Sequence, residues 1–150
     1  MKRRLVLVTS MFPVVTLMLP LVTSMLAACA PSRGAGYEKA VADARDAYGS
    51  GRFVEAADRW QAASRDAKIP RDAVYARFES AMARLRAGDP SRARAELAAL
   101  ASTNPANAYS GEAAFHVAEI DLANGADQGW SELEDVVVRF PSLGVAEVAV

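Results

Sequence analysis

Three groups of residues stand out by type and spacing as able to do chemistry. Cys29 is the only cysteine, and it ends a run of small residues, Ala27-Ala28-Cys29, behind a long apolar stretch. With no second thiol to pair with, it is placed for modification rather than for a disulfide. His116 is the only histidine, and Glu119 follows three residues later, a spacing that puts both on one helix face. Two ligands do not make a metal site, and no other histidine or cysteine remains to complete one. The pair reads as a surface histidine beside a carboxylate. Ser80, Ser91 and Ser110 lack a Gly-x-Ser-x-Gly elbow and a matching Ser–His–Asp set. There is no glycine-rich phosphate loop. Arg92, Arg94 and Glu96 read as surface charge. The residues therefore point to no catalysis, no metal, no cofactor and no small-molecule substrate.

The elements that position Cys29 are at the N-terminus. Met1 to Arg4 is cationic, Leu5 to Leu26 is apolar and uncharged, and small residues follow up to Cys29. That order is the layout of a secretory signal, with the cations kept on the cytoplasmic side. Leu26-Ala27-Ala28-Cys29 resembles the lipobox of bacterial lipoproteins. The resemblance implies a diacylglycerol on the Cys29 thiol and cleavage between Ala28 and Cys29. Two other readings of the segment are an uncleaved membrane helix and a plain signal. The stretch is long enough to span, but Pro13 and Pro20 would break such a helix. The organisation expected is a signal over 1–28, a lipidated cysteine with a flexible tether over 29–36, and a folded domain over 37–150.

The tether, Ala30-Pro31-Ser32-Arg33-Gly34-Ala35-Gly36, is rich in small residues and proline and has no periodicity. Ala30, rather than aspartate, follows the cysteine. In lipoproteins of enteric-type bacteria that implies the outer membrane, facing the periplasm. The chain carries 17 basic and 18 acidic residues, a net charge of −1. Removing the three N-terminal cations leaves 14 basic residues. No basic block exists, so nucleic acid is not a natural partner.

The rest of the chain repeats with a step of 37 residues. Gly51, Gly88 and Gly125 share it, as do Ala44, Ala81 and Ala118, then Tyr48, Leu85 and Leu122, then Val41, Phe78 and Phe115. Within each copy the apolar residues lie at i, i+3 and i+7, one face of a helix, and each stretch meets a glycine stop. Second helices are predicted over Phe53 to Ala67, Pro90 to Ser102 and Asp127 to Phe140. Asp89-Pro90 supplies a cap followed by a proline in the first turn. Val136 to Val138 is the only stretch with any strand character.

Three helix–turn–helix units of this kind resemble the tetratricopeptide repeat. The resemblance implies an all-α right-handed solenoid of about three units, a small residue of one helix packed on a small residue of the next (Ala44 with Ala56, Ala81 with Ala93), large residues at Trp60 and Leu97, and prolines at the unit ends (Pro70, Pro105 and Pro141). Trp130 stands where the third second helix should carry alanine, which points to a one-residue shift of that helix. Asp43, Arg77, Arg84 and Asp121 occupy positions that the family often fills with apolar residues. Pro141 to Val150 resembles the start of a fourth unit. It is expected to dock as a partial cap, to continue into a longer chain, or to expose a face for another subunit.

Such families bind peptides or helices along their first helices. The candidate groove is Tyr75, Phe78, Met82, Leu85, Phe115 and Leu122, although the same residues form the strongest packing stripe. The function expected is a membrane-anchored scaffold for protein–protein interaction in the cell envelope, similar to lipoproteins of outer-membrane protein assembly. The alternative is an accessory subunit that oligomerises through its last repeat. Replacing Cys29 with alanine should abolish incorporation of labelled lipid and leave a slower-migrating precursor. Normal processing of the variant refutes the lipoprotein reading.

Overall fold

The computed structural model describes residues 33–141. Ala28, Cys29, the rest of the N-terminal segment and residues 142–150 lie outside the described part. Within it the chain is all-α: α1 (Ala35–Gly49), α2 (Phe53–Asp66), α3 (Pro70–Arg86), α4 (Pro90–Ala101), α5 (Ser110–Ala123) and α6 (Gln128–Arg139). No strand is present among the described residues, and Val136 to Val138 is helical. Each helix packs chiefly against its neighbours along the chain.

The three glycines of the repeat close α1, α3 and α5 in the same way. Gly51, Gly88 and Gly125 have φ of 75°, 81° and 76°, a left-handed conformation that a Cβ disfavours. At each turn the glycine N–H donates to a carbonyl three residues back: Tyr48, Leu85 and Leu122. The N–H after it donates to a carbonyl five residues back: Arg52 to Ala47, Asp89 to Arg84, and Ala126 to Asp121. This paired closure satisfies carbonyls that the end of a helix leaves free. The Asp89 side chain then accepts the Arg92 N–H at 3.1 Å, capping α4 ahead of Pro90.

The apolar positions bury as two clusters. Tyr37, Val41, Ala44 and Ala47 of α1 meet Ala56, Ala57, Trp60 and Ala63 of α2, and Ala76 and Ala83 of α3. Phe78 and Ala81, also of α3, join Ala93, Leu97 and Leu100 of α4 and Ala113, Val117 and Ile120 of α5. The predicted small-residue pairs are thus within the core, Ala44 with Ala56 in the first cluster and Ala81 with Ala93 in the second. Helix α3 presents a different face to each cluster. Ser80, between Ala76 and Ala83, donates its buried hydroxyl to the Ala57 carbonyl of α2 at 3.0 Å.

The last pair of helices departs from the 37-residue step. Trp130 is 65% exposed, and Gly129 is buried in its place. Gly129 and Val136 stand where 37-residue arithmetic puts Trp130 and Val137. The cause is the first turn of the helix. Helices α2 and α4 open with a bond over four residues, Ala56 to Arg52 and Ala93 to Asp89. The α6 segment opens with bonds over three residues, Gly129 to Ala126 and Trp130 to Asp127. A turn of that kind uses about 3.0 residues rather than 3.6, so the inward face arrives one residue early. A Cβ on Gly129 would lie 2.6 Å from Leu122 Cγ and 2.9 Å from the Ala118 carbonyl oxygen.

Two boundaries differ from the sequence-based expectation. Ala35 and Gly36, expected in the tether, are helical. Small residues suit this opening, because a Cβ on Gly36 would lie 3.3 Å from Asp66 Oδ2, at the end of α2. Pro70, expected to close the first unit, is instead the first residue of α3, where its missing N–H costs no helical bond.

Two substitutions test this architecture. Gly88→Val forces a β-branched residue into a left-handed turn and should cost about 1–3 kcal/mol. Gly129→Ala should also lower the melting temperature, by overpacking worth about 1–3 kcal/mol, although alanine is the better helix former by about 1 kcal/mol. A melting temperature that is unchanged for the first, or raised for the second, contradicts the turn and the close approach respectively.

Candidate binding cleft

The residues singled out for chemistry fall into separate places. His116 Nδ1 lies 2.7 Å from Glu119 Oε2 on α5, the histidine half-buried and the glutamate exposed, and no group of three metal-ligating side chains occurs among the described residues. Ser110 is buried at the start of α5. Its hydroxyl accepts the Asn107 N–H at 2.9 Å and donates to the Leu100 carbonyl at 3.1 Å. The Asn107 side chain accepts the Tyr109 N–H at 2.8 Å. Together these bonds pin the connection between α4 and α5 and set the position of Tyr109.

Arg94 and Glu96, expected as surface charge, hold two buried ions of the repeat. The column Ala47, Arg84 and Asp121 is buried throughout. Arg84 Nε donates to Glu96 Oε1 of α4 at 2.9 Å, and its Nη2 lies 3.7 Å from Asp58 of α2. Asp121 accepts two bonds from Arg94 of α4, the Nη2 bond at 2.6 Å, and one from Gln128 of α6 at 3.3 Å. Such two-pronged guanidinium–carboxylate pairing fixes geometry as well as charge. The Arg94 bond holds the Asp121 carboxyl down at about 2, with Gln128 acting in the same direction. Burial, and next the nearby Asp121, push Glu132 of α6 up.

The candidate groove residues divide between core and cleft. Phe78 belongs to the second cluster, with Met82 and Leu85 packed against it. Phe115 and Leu122 are half-buried on α5. Tyr75 is different, because it lines open space on both sides. One cleft, of about 410 Å³, is bounded by Arg33, Tyr37, Val41, Arg45, Arg71, Asp72, Tyr75 and Tyr109, with Glu38 and Ala42. A smaller one, of about 230 Å³, continues past Arg45 and Tyr75 to Tyr48, Trp60 and Glu79.

Aromatic rings of the cleft continue into the core in contact with one another. Trp60 meets Tyr75 edge-on at 5.4 Å between centroids, Tyr75 meets Tyr109 at 5.9 Å, and Tyr109 stacks on Phe78 at 5.2 Å. Such pairs add about 0.5–1.5 kcal/mol each beyond the area they bury. Charged groups line the same clefts. Burial raises the Tyr37 and Tyr109 hydroxyls above the usual phenol range, helped at Tyr37 by Asp72. Burial also raises Glu79, against the pull of Tyr75 and Arg45. Arg33 Nε lies 3.0 Å from Asp72 Oδ2. The sequence pattern singled out Tyr75 but not Asp72 or Tyr109. Tyr109 owes its place to the Asn107–Ser110 bonds, which no helical period marks.

The chain matches no family model, no curated protein and no solved structure. Its described helices include none long and apolar enough to cross a membrane.

The Asp121 cluster predicts an acid response. A carboxyl lowered to about 2 in the fold from 3.8 contributes stability that is complete above the unfolded value and is lost as pH falls through the folded one. The contribution is on the order of 2 kcal/mol, and the raised Glu132 opposes it in part. Asp121→Asn should be less stable at neutral pH and should lose less stability between pH 4 and pH 2 than the parent. Parallel stability–pH curves for the two proteins contradict this role.

Proposed function

We propose that this chain is a lipid-anchored scaffold of tetratricopeptide-like repeats that binds protein partners in the cell envelope, held on the outer membrane and facing the periplasm. The observation that carries the reading is the cleft along α1 and α3. Three tyrosines and three arginines line an open surface there, and tyrosine and arginine are enriched where proteins meet. Support for the anchor comes from the cationic, apolar and small-residue zones that end at Cys29. Support for the repeat comes from three turns that close with the same pair of hydrogen bonds. The reading assigns the chain no catalysis and no cofactor.

A second reading has its own observation. On α6, Trp130 and Val138 are 65% and 78% exposed, eight residues apart on one helix. Apolar exposure of this kind suits an accessory subunit that oligomerises through its last repeat.

One experiment separates the two. A photo-crosslinking residue at Ala42, exposed in the cleft, should form adducts with other envelope proteins in the cell. The same residue at Glu134, exposed on α6, should form none. Adducts only at Glu134, and with a second copy of the chain, support the subunit reading and overturn the scaffold.

A further inference from the structure

We propose that the Asp72 carboxylate is a receptor for a donor cation on a partner polypeptide, an ammonium or guanidinium group, and that Arg33 holds this seat until the partner arrives. The inference rests on the partner-binding reading of the cleft and names the chemistry of what enters it.

Asp72 is the one buried charged residue lining the cleft. Its side chain is 9% exposed, and Oδ2 has no hydrogen-bond partner. A buried carboxylate oxygen without a donor is costly, and native folds hold few of them; Glu132 Oε2 of α6 is another, but Asp72 is the one that lines this cleft. The neighbouring cation is Arg33. Its Nε comes to 3.0 Å from Oδ2, but without the direction of a hydrogen bond, and its side chain is 56% exposed. A pair with one partner so exposed is weak and readily exchanged. Arg33 stands before the first residue of α1, so it can leave without disturbing a helix.

The other groups of the cleft suit a cation in that seat. Tyr37, Tyr75 and Tyr109 line its walls, and aromatic faces attract ammonium and guanidinium groups. Arg45 is drawn to the Tyr75 hydroxyl and to Glu79. Arg71 is exposed at the rim. Of the charges lining the cleft only Asp72 is buried, while Arg33, Arg45, Arg71 and Glu38 are exposed at its rim, so the deep position is anionic and selects a cationic side chain reaching inward over an anionic one.

The test uses the full chain in detergent micelles and four capped or uncapped peptides. These are N-acetylated, amidated Gly-Arg-Gly, Gly-Lys-Gly and Gly-citrulline-Gly, and amidated Gly-Gly-Gly with a free amine. Binding is followed by the NMR signals of the cleft tyrosines. At least one cationic peptide should bind saturably while the citrulline peptide, equal in shape to the arginine one but neutral, does not. The four arms show whether guanidinium, side-chain ammonium or terminal amine is preferred. Arg33→Ala should bind the preferred peptide about tenfold more tightly, equivalent to about 1.4 kcal/mol, and Asp72→Asn should lose it. If Asp72→Asn fails to fold, the citrulline comparison on the parent and Arg33→Ala proteins decides alone. Binding of the citrulline peptide as tight as that of every cationic peptide, no saturable binding of any cationic peptide, or no gain with Arg33→Ala overturns the proposal. Crosslinks at Ala42 with no preference for cations would leave the scaffold reading standing and this one refuted. Saturable cation binding without such crosslinks would do the reverse.

Discussion

A left-handed glycine after each of α1, α3 and α5 is the constraint on which the rest of the fold depends. It lets the chain reverse within three or four residues while two backbone bonds close the helix end. The reversal fixes where the next helix starts and so which of its residues face inward. In α2 and α4 these are Ala56 and Ala93, small enough for two helices to approach closely. In α6 a tighter first turn moves the position to Gly129, where a single methyl group would meet the Ala118 carbonyl. Turn geometry, small residues and helix spacing thus form one linked requirement.

The buried ions have a place in the same scheme. Ala47, Arg84 and Asp121 are the residues whose carbonyls receive the longer bond of each closure. Their side chains leave at the junction of three helices. Arg84 reaches acids on α2 and α4, and Asp121 reaches a base on α4 and an amide on α6. Buried ion pairs add little net stability, but removing one partner is expensive. Opposite signs at equivalent positions also discriminate between units: a stack in which Asp121 met Asp58 and Glu96 would set carboxylate against carboxylate. The charges thereby distinguish units that the apolar pattern makes nearly alike.

The helices were legible because their signals are local. Glycines at a fixed step, Asp89 before Pro90, and apolar residues at i, i+3 and i+7 are each read from a few neighbouring residues. The predicted spans of α2 and α4 start where the observed helices do, that of α6 starts one residue early, and each runs one residue past its end. The two-residue extension of α1 into the tether was not legible, because it depends on the end of α2. The cleft was legible only in part. Tyr75 lies on a predicted face, whereas Asp72 precedes the periodic stretch of α3 and Tyr109 is placed by a loop. Arg94 and Glu96 looked like solvent-facing charge because their partners lie 27 and 12 residues away, beyond any local pattern.

Packing that runs from each helix to the next along the chain has a kinetic consequence. Contacts between chain neighbours require little loop closure, and topologies rich in them fold quickly. The first cluster draws only on α1, α2 and α3, so it can assemble before the residues of α5 and α6 are available. A polypeptide that emerges from one end first can therefore lay down its core in order, with each new helix finding a formed surface to settle on.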